Sequence, residues 1–185
     1  MREPGLADKV VQLHDALVAA NVAHAFGGAL ALAYYAEPRA TADVDINLFV
    51  GPSEFARILE VLEPFGIMRI PTSKQVQREG QARVWWGRTP LDLFFAYDEI
   101  HDAMRDRVRM VPFGEVEIPI LAAEHLIVAK VVFDRPKDWL DIEQMLVTVP
   151  SLDLDDVARW LRHLLEIDDQ RITRFEALVS RILNR

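Results

Sequence analysis

Cysteine is absent from the 185 residues, which excludes a disulfide framework and any thiolate metal site. No apolar run approaches the roughly eighteen residues that a membrane-spanning helix needs. The opening MREPGLADKV also lacks the charged-then-apolar pattern of a secretory leader. A soluble, cytoplasmic protein with no membrane partner is the expectation. The histidines, His14, His24, His101, His125 and His163, are scattered without ligand spacing, so a histidine-bound metal is not expected. Neither Gly-x-x-x-x-Gly-Lys-Ser/Thr nor Gly-x-Gly-x-x-Gly occurs, and no Ser-His-Asp order points to a hydrolase. Basic excess is missing too: a net charge of −8 argues against wholesale coating of nucleic acid.

One local exception to that acidity stands out. Between Arg69 and Arg88 lie Lys74, Arg78 and Arg83, opposed only by Glu79, and Arg105, Arg107 and Arg109 follow. The acidic excess sits in SLDLDDVARWLRHLLEIDDQ near the end. A basic middle and an acidic end point to a phosphate-bearing ligand, against the plainer reading of solvated strand and helix faces.

What is present is an ordinary globular composition, half hydrophobic and 27% charged, enough for a real core in one domain or one domain with a helical appendage. LADKVVQLHDALVAAN has helical apolar spacing, AHAF is a short strand, and ALALAYYA is a helix stopped by Pro38. DVDINLFV alternates as a half-buried strand, and Ser53 would cap the helix EFARILEVLEPF. GIMRI, ARVWWG and LDLFFA are strands, with one tryptophan of Trp85-Trp86 inward and one outward. VRMVPFGEVEIPI is a hairpin around Pro112 to Gly114. From about residue 121, helices alone follow. The expected fold is α/β (α+β): a mixed sheet flanked by helices over residues 1–120, then a C-terminal helical bundle over 121–185 packed on that core.

Asp43 and Asp45 sit two apart in a hydrophobic strand and so project to one face. Two carboxylates there repel each other and lose hydration, which is costly unless a cation joins them. Oxygen ligands suit a hard ion such as magnesium. Asp92, in the apolar PLDLFFA, offers a third carboxylate, and three strand-borne aspartates would make a platform for phosphoryl displacement. Gly27-Gly28, between a strand and a helix, would let the backbone approach a phosphate. Alone, a Gly-Gly is a turn and an Asp-x-Asp is a solvated strand end. The combination is much more specific.

These residues resemble the nucleotidyltransferase superfamily, the DNA polymerase β-like fold. Its signature is matched by Phe26-Gly27-Gly28, Asp43-Val44-Asp45 and Asp92. The inserted EPRAT, with Arg39 and Thr41, resembles the abortive-infection type IV (AbiEii-type) toxin branch. So does AAEHLIVAKVVFDRPKDWLDIEQML, with Lys130, Asp138 and Asp141. The resemblance covers roughly residues 24 to 146. Ala29 and Asn47 stand where some toxins of the branch carry serine or lysine.

The resemblance implies a Mg2+-dependent transfer of a nucleoside monophosphate from an NTP to an acceptor hydroxyl. Asp43, Asp45 and Asp92 would hold one or two Mg2+ ions, and Asp92 would also take the acceptor's proton. Gly27, Gly28, Arg39, Thr41, Lys130 and Asp141 would bind the nucleotide, with Lys130 at the growing charge of pyrophosphate. A salt bridge from Lys130 to Asp138 or Asp141 is the architectural alternative. The acceptor would be a tRNA 3′ end or a protein, and a toxin role would imply a cognate antitoxin. Two other readings stand beside it: a non-catalytic nucleotide-binding or interaction module, and a small-molecule transferase of the antibiotic-modifying kind.

Overall fold

The computed structural model describes residues 3–183. Contacts divide the chain into two compact units, residues 1–30 with 40–121, and residues 31–39 with 122–185.

In the first unit, among the described residues, seven strands form one sheet in the order β3-β4-β5-β2-β1-β7-β6. They are β1 (His24–Phe26), β2 (Val44–Leu48), β3 (Ile67–Met68), β4 (Gln81–Trp86), β5 (Thr89–Phe95), β6 (Arg109–Phe113) and β7 (Val116–Ile120). The sheet is mixed. β2 runs parallel to β5, and β1 runs parallel to β7. The pairs β1–β2, β3–β4, β4–β5 and β6–β7 are antiparallel. Every expected strand is present; α1 (Leu6–Ala19) buries Val10, Leu13 and Leu17 of its apolar spacing but leaves Val18 exposed, and α3 (Phe55–Leu62) buries Phe55, Ile58 and Leu62.

Three local details differ from expectation. Ser53 does not cap α3; it lies in the 3-10 turn Pro52–Glu54, which leads straight into that helix. The helix α2 covers only Gly28–Leu32 and loosens into turns well before Pro38. The third is the hairpin: Pro112 lies in β6 opposite Glu117, and the chain reverses at Gly114-Glu115. That proline is tolerated because β6 is a sheet edge. Two further helices, α4 (Ser73–Glu79) and α5 (Glu99–Asp106), start where Thr72 and Asp98 accept the Gln75 and Ile100 amides. Those caps are the sequence signals that announce them.

Lys9 of α1 is 1% exposed, yet its ammonium meets three acceptors: Glu3 Oε1 at 2.5 Å, Thr89 Oγ1 at 2.8 Å and the Trp86 carbonyl at 2.9 Å. All three N–H groups of the amine are thereby answered. This ties α1 to the β4–β5 turn.

In the second unit, α6 (Ala123–Phe133) is buried nearly all round and touches α7 (Pro136–Thr148), α8 (Leu154–Leu164) and α9 (Gln170–Leu183). A helix without a polar face belongs at the centre of such a cluster. Thr148 Oγ1 donates to the Tyr35 carbonyl, joining residues 31–39 to α7.

His24 begins β1 as a buried, neutral imidazole. Its Nδ1 lies 2.9 Å from the Val22 carbonyl and so carries the proton, leaving Nε2 to accept from His14 Nδ1 at 3.1 Å. Burial pushes its pKa down from 6.5 to about 4. The unfolded chain therefore binds this proton at higher pH than the folded one, so stability is complete above pH 6.5 and declines as pH falls towards 4. The expected loss across that window is about 3 kcal/mol. Urea melts at stepped pH measure it, and His24→Gln should remove most of the slope.

Candidate active site

The register of β2 on β5 places Val44, Ile46 and Leu48 opposite Leu91, Leu93 and Phe95, all buried on one side of the sheet. Strand alternation then turns Asp45 and its partner Asp92 to the other side, abreast on neighbouring strands. β4 extends the row. Arg83 pairs with Asp92 in the β4–β5 register, so Asp45, Asp92 and Arg83 lie side by side across three strands. Asp43 precedes β2 by one residue, and its carboxylate accepts the Thr41 hydroxyl.

Gly27 and Gly28 close over this row. Gly27 donates its amide to the Asp45 carbonyl at 2.9 Å, extending the β1–β2 ladder. A Cβ on Gly27 would stand 2.9 Å from Asn47 Nδ2. At Gly28 the constraint is harder: φ is +53°, and a Cβ there would stand 1.7 Å from Asp45 Oδ2. Only glycine lets the backbone pass this close to the carboxylate.

Arg83 holds Asp92 with both edges of its fork, Nε to Oδ1 and Nη2 to Oδ2, each at 2.6 Å. The arginine is 57% exposed and Asp92 14% exposed. The sequence had shown Arg83 only as one member of a basic stretch. Its partner was legible in the Gly87-Arg88 turn, since Trp86 opposite Thr89 fixes Arg83 opposite Asp92. Trp85 points to the same side as Arg83 and is half-buried under the Arg69 guanidinium, 4.4 Å from its ring, whereas Trp86 is buried.

Among the described residues, no group of three or more acidic or imidazole side chains stands ready to hold an ion. Both Asp92 oxygens are engaged by Arg83 and one Asp43 oxygen by Thr41. The donor chemistry still suits a hard divalent cation. The carboxylates of Asp45 and Asp92, turned to one side of adjacent strands, are the oxygen donors such an ion takes.

The remaining expected residues meet inside the helical unit. Lys130, 3% exposed, places its amine 2.6 Å from Asp141 Oδ2 and 3.7 Å from Asp138 Oδ1. Arg39 binds Asp141 side-on through Nε and Nη2, each at 3.2 Å. Arg135 binds Asp138 through Nε at 2.6 Å and Nη2 at 3.1 Å. The architectural pairing of Lys130 is thus formed, whatever further contact the amine makes.

The sequence matches no protein-family model and no curated protein. Solved structures do match. The solution structure of the antibiotic-resistance factor ANT(2'')-Ia is 15% identical, covers 97% of both chains and superposes with a TM-score of 0.61. A crystal structure of ANT(2'')-Ia with adenylyl-2''-tobramycin gives 14% identity, 85% and 97% coverage and a TM-score of 0.63. An antigenic nucleotidyltransferase-like protein from Paracoccidioides brasiliensis gives 15% identity, 97% coverage of each chain and a TM-score of 0.56.

Two substitutions probe this geometry. Gly66 has φ +63° and nothing near its missing Cβ, so Gly66→Ala reads the backbone cost alone, about 1–2 kcal/mol. Gly28→Ala adds the clash with Asp45 and is expected to cost clearly more in the same urea melts. Lys130→Met leaves two buried carboxylates short of a cation and is expected to cost about 3 kcal/mol, whereas Arg39→Gln, at the partly exposed end of the network, should cost under about 1 kcal/mol. At these levels of identity the likeness is one of architecture: the chain has the fold of the nucleotidyltransferases.

Proposed function

We propose that the protein is a metal-dependent nucleotidyltransferase that moves a nucleoside monophosphate from an NTP to an acceptor hydroxyl, releasing pyrophosphate. The observation that carries this reading is the placement of Asp45 beside Asp92 on parallel strands, with the Gly28 backbone against the Asp45 carboxylate. Asp92 is answered by Arg83, but a second carboxylate set beside it on the neighbouring strand is costly unless a cation joins the two.

Asp43, Asp45 and Asp92 would hold one or two Mg2+ ions, which supply charge neutralisation for the phosphates and the leaving pyrophosphate. Asp92 would accept the proton of the attacking hydroxyl, and Gly27 and Gly28 would admit a phosphate oxygen close to the backbone. Thr41 would fix the Asp43 carboxylate it already donates to. Nucleotide-binding roles for Arg39, Lys130 and Asp141 rest on the sequence resemblance alone; within the helical unit Asp141 binds the Nε and Nη2 edge of Arg39, and Lys130 steadies Asp141.

Arg69 stacked on Trp85, beside Arg83 on the same side of the sheet, supports an anionic acceptor with planar groups, and we favour RNA, such as a tRNA 3′ end. A protein acceptor, and a toxin role with a cognate antitoxin, rest on the sequence resemblance alone. The second reading, transfer to an antibiotic, draws on neighbours solved with adenylyl-2''-tobramycin and with bound lincomycin. The basic side chains beside the carboxylates disfavour a polycationic antibiotic.

The test is incubation with each α-labelled triphosphate, magnesium and total cellular RNA. One triphosphate should label RNA; Asp45→Asn and Asp92→Asn should each abolish the label, and Asp45→Asn should leave the apo protein at least as heat-stable as the parent. Label on no polymer with any triphosphate, but on a small-molecule acceptor, would select the second reading.

A further inference from the structure

The carboxylate row is not left to repel itself in the absence of metal. Arg83 stands in the same row, one strand beyond Asp92, and its two-pronged bond takes both oxygens that a cation would need. Three further features make Arg83 a replaceable partner rather than a fixed strut. It is 57% exposed, so its head leaves for water without opening the core. It alternates outward on β4 between buried Ala82 and Val84, so its departure disturbs no packing. Finally, its bond lies on the surface of an established hairpin whose register the two-residue turn already fixes.

Taking the carboxylates as the metal site, we propose that Arg83 is a built-in counter-ion that occupies Asp92 in the metal-free protein and must swing away before a divalent cation can bind. The site is thus latched when empty and opened by loading. Once displaced, the guanidinium remains beside the row, where the phosphates brought by the nucleotide offer it a new anion. A plain cross-strand salt bridge would share the geometry but not the competition: it would stabilise the hairpin and leave metal affinity untouched.

The experiment is a titration of Mn2+, followed by the electron paramagnetic resonance of the unbound ion, with no nucleotide present. It compares the parent, Arg83→Gln, Arg83→Lys and Asp45→Asn, alongside thermal melts of the metal-free proteins. Removing a charged, two-pronged competitor should tighten Mn2+ binding about tenfold in Arg83→Gln. Arg83→Lys, a single-point donor, should fall between. Metal-free Arg83→Gln should melt below the parent, and Mn2+ should raise its melting temperature by more than it raises the parent's. Equal or weaker Mn2+ affinity in Arg83→Gln, with Asp45→Asn still impaired, would overturn the latch and leave the metal site standing. No specific Mn2+ binding by parent or variants would overturn the metal site and the latch with it. Should Arg83→Gln fail to fold, Arg83→Lys decides by the same comparison of affinities.

Discussion

Parallel pairing of β2 with β5 is the constraint on which the site depends, because it sets Asp45 and Asp92 abreast. Adjacent strands lie about 4.8 Å apart, and two unit charges at that spacing repel by about 3–4 kcal/mol at an effective dielectric near 20. The pairing survives because Arg83 offsets the charge of Asp92 and the opposite side of the same two strands is wholly apolar. Val44, Ile46, Leu48, Leu91, Leu93 and Phe95 are all at most 2% exposed, and a one-residue slip would exchange them with the aspartates. The core thus holds in place a charge arrangement that would not form unaided.

Cations are distributed through the molecule by the same logic. Lys9 answers the carbonyl of Trp86 at the end of β4, and Lys130 answers two buried carboxylates between α6 and α7. Each amine is almost completely buried and each is answered, Lys9 by three hydrogen bonds and Lys130 by one to Asp141 with Asp138 3.7 Å away, which is what burial of a charge requires. Arg83 differs from both: its bond is as short, but its head is in water. That difference in exposure separates a charge that holds the fold from one that is able to move.

The close approach at Gly28 joins fold to chemistry. A left-handed residue at the start of a five-residue helix has little stabilising value by itself. Its consequence is that the main chain lies against Asp45 with no side chain between them, the carboxylate occupying the place a Cβ would take. Gly27 contributes differently, by continuing the ladder to Asp45 and seating over the Asn47 amide.

The sequence by itself determined the strands and most helices, because these follow from local periodicity of two or 3.6 and from glycine's backbone freedom. It offered a salt bridge from Lys130 to Asp138 or Asp141 as the architectural alternative to a phosphate contact, since the two aspartates share a face of one helix, and the structure forms that bridge. The two short helices α4 and α5 escaped periodicity, being too brief to show it, though their caps at Thr72 and Asp98 were written in the chain. Only the tertiary structure decided which strand lies beside which. Nothing local sets β5 against β2 across more than forty residues of chain, or joins Arg39 to Asp141. Those choices are made by burying apolar faces at long range, and in the sheet they set Asp45, Asp92 and Arg83 in one row of charge.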